Sequence, residues 1–192
     1  MLGDYVVEKV VGGKQVPIEL ITEQLSKLKA KNGVVAILGN HDWEYGVGKI
    51  LKAFKETEII LLSNEVKGIE TGQCILHIAG LDDLWNGDNN YLDVISKMKG
   101  LSNKLVLSHN PDVIRNEKFL DNTLLLAGHT HGGQFNLPLF GSFFTPSVYG
   151  DKYNNGVYKF ENGTMFVTSG IGTSVVGLRL SATPEIALIK IR

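Results

Sequence analysis

Four of the five histidines in this 192-residue chain lie in short polar clusters, each directly after an apolar run. The clusters are Gly39-Asn40-His41-Asp42 after residues 34–38, Ser108-His109-Asn110 after residues 104–107, and Gly128-His129-Thr130-His131 after residues 123–127. A fourth cluster, Gly3-Asp4, follows Met1-Leu2. Imidazole nitrogens together with carboxylate and amide oxygens are a donor set suited to Zn, Mn or Fe. The sequence therefore predicts a metal centre without thiolate ligands.

The apolar runs that precede these clusters are typical of buried strands, since they are short and rich in β-branched or aliphatic residues. In open α/β sheets the carboxyl ends of the strands meet at one edge, where ligand sites form. We therefore expect the polar side chains at these ends to share one pocket. They are Asp4, Asn40, His41, His109, His129 and His131.

The rest of the chain predicts an α/β protein with a strand-rich C-terminal part. Apolar residues at helical spacing predict helices over residues 17–28, 47–54 and 92–98. Further strands are predicted over residues 59–62, 74–79, 157–160, 164–168 and 185–191. No repeat or linker interrupts the pattern, so residues 1–192 are interpreted as a single domain.

Composition excludes several classes of protein. Lys and Arg number 19 against 20 Asp and Glu, so no nucleic-acid-binding surface is expected. The single cysteine, Cys74, excludes an intrachain disulfide and a cysteine-rich zinc site. No apolar run is long enough to predict a membrane span.

Structural interpretations of the same residues stay open at this point. A histidine at a strand end is often only hydrogen-bonded, and Gly39-Asn40-His41-Asp42 alone is also typical of a turn before a helix. His77 lies inside a predicted strand and is expected to be structural. Trp85 belongs to a loop that either borders the pocket or packs elsewhere. Arg179 is a candidate phosphate ligand or an ordinary surface residue.

Taken in order, the clusters resemble the motifs of the calcineurin-like metallophosphoesterases. That family carries Asp-x-His, Gly-Asp, Gly-Asn-His-Asp/Glu, a single His and Gly-His-x-His, and all but the first have counterparts here. The segment from Gly128 to Gln134, with Tyr149-Gly150 and Pro184-Glu185, is similar to a bacterial branch of membrane-associated phosphodiesterases and UDP-2,3-diacylglucosamine pyrophosphatases. The resemblance implies a layered αββα sandwich of two mixed β-sheets flanked by helices.

The resemblance also implies roles for individual residues. Asp4 would bridge two divalent ions (Mn, Fe or Zn), and His131 would belong to the first ion. Asn40, His109 and His129 would complete the second site. His41 would act as general acid toward the leaving group, and Asp42 would orient its ring.

One departure from the family pattern is the missing Asp-x-His motif. We therefore expect an N-terminally incomplete domain that lacks the first strand of the family fold. The first metal site then keeps Asp4 and His131 alone, so one of the two ions would be weakly bound or absent.

The resemblance implies hydrolysis of a phosphodiester or pyrophosphate bond by a metal-bridging hydroxide. Expected substrates are phosphoesters, including nucleotide-sugar or lipid phosphates. The expected location is cytoplasmic or peripheral to a membrane, with any anchor outside this chain. Two alternatives are a catalytically weakened adaptor with the same fold and a mononuclear metal-binding hydrolase or fragment.

Overall fold

The computed structural model describes residues 1–7, 9–88, 90–137 and 139–191, and for residues 116–120 the backbone alone. The described helices are α1 (Ile18–Leu25), α2 (Asn40–Lys55) and α3 (Tyr91–Lys97). The strands are β1 (Val35–Ala36), β2 (Ile60–Leu61), β3 (Glu65–Glu70), β4 (Ile75–Gly80), β5 (Lys104–Ser108), β6 (Thr123–Ala127), β7 (Asn136–Leu137), β8 (Gly141–Ser142), β9 (Gly156–Phe160) and β10 (Gly163–Val167). Three 3₁₀ segments cover Pro111–Leu120, His131–Gly133 and Gly150–Tyr153.

The larger sheet has six strands in the order β3-β4-β5-β6-β10-β9. Its four central strands run parallel, and β3 and β9 pair antiparallel at the two edges. Ser108 at the end of β5 pairs with Ala127 at the end of β6. Because the two strands end in register, His109 and Gly128 leave the sheet side by side, and the Gly128 N–H donates to the His109 carbonyl at 2.9 Å.

The smaller sheet brings the N-terminus next to α2. Strands β1 and β2 are parallel, and Met1 extends the sheet on the other side of β1. The Met1 ammonium group donates to the Val35 carbonyl at 2.6 Å, and the Ile37 N–H donates to the Met1 carbonyl at 3.2 Å. These bonds carry Gly3 and Asp4 to the start of α2.

The two sheets pack face to face between layers of helices, which gives the predicted layered α/β arrangement. Leu105 and Leu107 of β5 face the smaller sheet, whereas Val106 faces α3 and the 3₁₀ segment at 111–120. This alternation follows from the two-residue period of a strand. Helices α1 and α2 cover the outer face of the smaller sheet through a core that includes Ile18 and Phe54.

Several predicted elements differ from those observed. The strand predicted over residues 185–191 is wrong: no strand is assigned there in the described residues up to 191. The Glu185 N–H bonds to Gly170, but Ile186 and Leu188 beyond it are exposed, so no sheet face covers them. Edge strand β3 was not predicted, because its apolar residues Val66 and Ile69 are three positions apart and so do not follow the two-residue period of a strand. Helix α2 begins at Asn40, earlier than predicted.

The tip between β7 and β8 and the residues that follow expose the apolar side chains of Leu139, Phe140, Phe143 and Phe144. Among the helices described here, none has the length and apolarity needed to cross a membrane.

Candidate metal centre

Three of the predicted ligands meet at the carboxyl edge of the sheets. Ligand atoms of Asp4, His109 and His129 all lie within 4.8 Å of one another. All three side chains are largely shielded from solvent. They come from the N-terminal segment beside β1, from the end of β5 and from the end of β6.

This convergence depends on glycine at two positions where main chains touch. A Cβ on Gly3 would lie 2.4 Å from the Gly39 nitrogen, and a Cβ on Gly39 would lie 2.2 Å from Oδ1 of Asp4. Gly3 also has a φ of +89°, which disfavours side chains. The two glycines therefore allow the Asp4 carboxylate to reach the first turn of α2, where Oδ1 accepts from the His41 N–H at 3.0 Å.

The ring of His109 is oriented so that Nε2 faces the cluster. Its Nδ1 lies 2.6 Å from the Leu2 carbonyl, which can only accept, so Nδ1 carries the proton. Its Nε2 lies 3.1 Å from Oδ2 of Asp4 and 3.0 Å from Nδ1 of His129. Histidine ligands commonly donate their second ring N–H to a backbone carbonyl in this way.

The charges in this cluster are strongly coupled. Burial lowers the pKa of His109, but the Asp4 carboxylate outweighs burial and raises it to about 9. Burial raises the pKa of Asp4, but His109 outweighs that effect and the pKa lies well below its usual range. Burial and the neighbouring His109 lower the pKa of His129 to about 2, which keeps that imidazole neutral.

The buried polar atoms of this region that have no hydrogen-bond partner among the described residues include Nε2 of His129 and Oδ1 of Asn40. A buried polar group without a partner costs about 1–3 kcal/mol. Asn40 directly precedes His41, whose N–H bonds to Asp4. Neutral imidazole, carboxylate and an amide oxygen at one edge fit a divalent cation such as Zn²⁺, Mn²⁺ or Fe²⁺.

His131 lies outside the group of three ligands. It sits in the left-handed region, with a φ of 52°. Burial lowers its pKa to about 4, while the Asp4 carboxylate acts in the opposite direction. His131 is thus near the cluster, but its ligand atoms are not within the common 4.8 Å of the other three.

The guanidinium group of Arg179 forms hydrogen bonds to several backbone carbonyl groups. Its guanidinium donates to the carbonyls of His131 at 3.1 Å, Ser169 at 2.7 Å and Gly170 at 3.2 Å. It also donates to the Gly172 carbonyl at 3.0 Å through Nε. Arg179 therefore fixes the loop at 169–172 against His131, a role that neither sequence interpretation included.

The carboxylate of Asp42 binds backbone N–H groups at the start of α2. Its carboxylate accepts from the backbone N–H groups of Asp4 at 2.8 Å, Tyr5 at 2.9 Å and Gly39 at 2.9 Å. Burial and then the Asp4 charge raise its pKa to about 6. Asp42 therefore joins the N-terminal segment to α2 and does not contact the His41 ring in these bonds.

Glu44 occupies the place that was predicted for Asp42. Oε2 of Glu44 lies 2.9 Å from Nδ1 of His41, and Nε2 of His41 lies 3.1 Å from Oγ of Ser174. The sequence signal that could have found Glu44 is its i, i+3 spacing from His41 on a helix.

The loop at residues 82–88, called here the Trp85 loop, forms one wall of the cluster. The rings of Trp85 and His129 have centroids 4.5 Å apart and planes at 87°. Nδ2 of Asn86 donates to the Asn40 carbonyl at 3.4 Å, and Nε1 of Trp43 donates to Oδ1 of Asp82 at 3.0 Å. The loop thus contacts both α2 and His129.

Comparisons with known proteins agree with the geometry. The family model for calcineurin-like phosphoesterases matches residues 1–133. Over 171 residues the chain is 34% identical to the uncharacterized metallophosphoesterase YkuE of Bacillus subtilis, covering 88% of this chain and 59% of YkuE.

A second relative is phosphodiesterase YaeI of Escherichia coli, 33% identical over 195 residues, with 98% of this chain and 68% of YaeI covered. A third, the uncharacterized protein YpbG of Bacillus subtilis, is 30% identical over 159 residues, covering 81% of this chain and 57% of YpbG. The chain thus spans between 57% and 68% of the length of these three relatives. No solved structure gives a significant match.

Proposed function

The chain belongs to the calcineurin-like phosphoesterase family, and on that premise we propose that it is a metal-dependent hydrolase of phosphodiester or pyrophosphate bonds. The observation that carries this proposal is the buried group of Asp4, His109 and His129, whose ligand atoms lie within 4.8 Å. The printed name of YaeI, a phosphodiesterase, supports the same class of bond.

We propose that Asp4, Asn40, His109 and His129 hold one divalent ion, and that Asp4 and His131 contribute to a second ion. Divalent ions bound there would offset the charge of the phosphate and make water nucleophilic near neutral pH. The Leu2 carbonyl accepts from Nδ1–H of His109, so Nε2, which faces Asp4, is the atom that would bind the ion in place of its proton. The Asp42 carboxylate fixes the backbone on which Asp4 is carried.

His41 is the proposed general acid. When its ring is doubly protonated, Nδ1–H donates to Glu44 and Nε2–H points to the Ser174 hydroxyl. A leaving-group oxygen that takes the place of that hydroxyl would receive the Nε2 proton. Histidine suits this role, since it exchanges protons near neutral pH.

The test of the function uses metal-depleted protein to which Mn²⁺ or Zn²⁺ is returned. We expect metal to restore hydrolysis of bis-p-nitrophenyl phosphate and to raise the thermal midpoint of unfolding, because an ion that binds the folded state stabilises it. A rise in midpoint without hydrolysis would favour the adaptor with a weakened site. No change in either readout would contradict the metal centre itself.

Replacing His41 by alanine should lower kcat by about 10²–10⁴-fold while the bound metal is retained. The expected cause is loss of the proton donor, since the ring of His41 lies outside the three-ligand group. Elemental analysis and steady-state kinetics on the same preparation check this. His77→Ala is the control, because that ring bonds to the Ser102 carbonyl away from the cluster. Loss of metal in H41A would make His41 a ligand instead.

Replacing Glu44 by glutamine should lower kcat by about tenfold with KM unchanged, since Glu44 acts only by orienting the His41 ring. Glu44→Asp keeps the charge and should recover part of the loss. The exposed Glu23→Gln on α1, whose partner Lys27 lies 3.9 Å away, is the matched control. Equal rates for E44Q and wild type would exclude the orienting role.

A mononuclear hydrolase is the second candidate. The observation that favours it is that, within the described residues, the ligand group comprises Asp4, His109 and His129 without His131. Calorimetric titration with Mn²⁺ distinguishes the mononuclear hydrolase from one with two ions, because the stoichiometry gives the number of ions bound per chain.

A further inference from the structure

The Trp85 loop carries an exposed indole beside a buried ligand. Trp85 is 51% exposed, whereas His129, which its ring contacts at 4.5 Å, is 8% exposed. An indole left half open to water has apolar surface available for another group. Its place next to a proposed ligand puts that surface at the rim of the metal centre.

The loop that carries this indole is held in place by many bonds. Oδ2 of Asp83 accepts from the N–H groups of Trp85 at 3.0 Å and Asn86 at 2.8 Å. Oδ1 of Asp82 accepts from the Asp83 N–H at 2.9 Å and from the indole N–H of Trp43 at 3.0 Å. The Gly87 N–H donates to the Asp83 carbonyl at 3.0 Å.

The loop is also tied to the metal centre itself. The side chain of Asn86 donates to the carbonyl of Asn40, a proposed ligand, at 3.4 Å. A half-exposed indole on a loop fixed in this way is preorganised, so a partner that stacks on it does not have to order the loop first.

We propose that Trp85 is a substrate-contacting residue that stacks against a planar aromatic group of the phosphoester. This proposal rests on the proposed function, because the phosphate must be held at the metal centre for its substituent to reach the indole. Aromatic stacking tolerates any flat ring, so the group that stacks on Trp85 can be an aryl group or a nucleobase. Trp85 then selects among phosphoesters by their substituent and not by the phosphate.

The experiment measures binding of small phosphates to the Mn²⁺-loaded protein by calorimetry, with bis-p-nitrophenyl phosphate hydrolysis as a separate readout. Phenyl phosphate is compared with methyl phosphate, and AMP with ribose phosphate, because each pair shares a phosphate and differs in the ring. For Trp85→Ala we expect the affinity for the ring-bearing member to fall about tenfold and the other to change less than twofold. Trp85→Phe keeps a flat ring and should stay within about threefold of wild type.

The two pairs identify the source of the ring: a loss confined to AMP supports a nucleobase, and a loss confined to phenyl phosphate supports an aryl group. Leu92→Ala is the control, since Leu92 is a comparably exposed apolar residue on α3. n-Hexyl phosphate serves as an apolar ligand without a ring. If Trp85→Ala lowers the affinity for n-hexyl phosphate as much as the affinity for phenyl phosphate, selection of aromatic groups is overturned. An unchanged affinity in W85A would overturn the contact, while hydrolysis by the wild type would leave the proposed function intact. Failure of wild-type protein to bind even methyl phosphate would overturn the proposed function together with this inference.

Discussion

Replacing Asp4 by asparagine is expected to lower divalent-metal affinity by at least about 100-fold and to abolish measurable phosphodiester hydrolysis. Asparagine has nearly the same shape, so the bond from the His41 N–H to Oδ1 is kept. The charge that faces Nε2 of His109 at 3.1 Å is lost. The ligand group then has no carboxylate, and a divalent cation loses its strongest electrostatic partner.

The measurement for D4N is Mn²⁺ binding by calorimetry, with the thermal midpoint recorded with and without metal. In wild-type protein metal should raise the midpoint, and in D4N the rise should disappear. Asp93→Asn is the control, because Asp93 forms an exposed pair with Lys97 on α3 and such pairs contribute little. A D4N protein that binds Mn²⁺ as tightly as wild type would refute the assignment of Asp4.

Replacing Gly39 by alanine is expected to destabilise the fold by about 3 kcal/mol and to weaken metal binding. The added Cβ would lie 2.2 Å from Oδ1 of Asp4 and 2.7 Å from the ring of His109. The backbone itself does not resist the change, since the φ of Gly39 is −111°. The added methyl group would therefore clash with two proposed ligands, Asp4 and His109.

Gly48→Ala, inside α2, is the control for Gly39, which directly precedes that helix. A Cβ at Gly48 meets nothing within 4 Å, so alanine there should stabilise α2 by about 0.5–1 kcal/mol. Denaturant unfolding of both variants gives the comparison, and Mn²⁺ titration shows the effect on the ligands. If G39A and G48A unfold at the same denaturant concentration, Asp4 and Gly39 are not packed as described.

The positions of His109 and His129 could be predicted from the sequence because each follows an apolar run that forms a parallel strand. Once β5 and β6 are recognised, their carboxyl ends must lie at the same edge. Ser108 and Ala127 pair in register, and this brings the two histidines together. Asp4 could be placed by the same pattern, although its strand contributes only the bonds of Met1 to β1.

The partners of His41 could not be predicted in the same way. Asp42 is the nearer residue in sequence, yet its carboxylate binds the N–H groups of Asp4, Tyr5 and Gly39. Which of the two acids reaches the ring depends on the angle at which α2 begins. That angle is set by the tight contact of Gly39 with the N-terminal segment, a contact between residues 35 positions apart or more that no local pattern contains.

The strand prediction for residues 185–191 is wrong for a related reason. Its apolar residues suit a strand, but a strand also needs a neighbour with free N–H and C=O groups. The carboxylate of Glu185 instead accepts from the Thr168 hydroxyl at 2.8 Å and the Ser169 N–H at 3.0 Å. These bonds direct the chain past the end of β10, and local propensity carries no information on them.

The ligands of the proposed centre come from chain positions 4, 109 and 129, so these three donors meet only in the folded chain. An ion bound by all three would then stabilise the native state more than the unfolded chain. Cellular abundance should consequently follow metal nutrition: starvation for the ion would enlarge the unfolded fraction that proteases degrade.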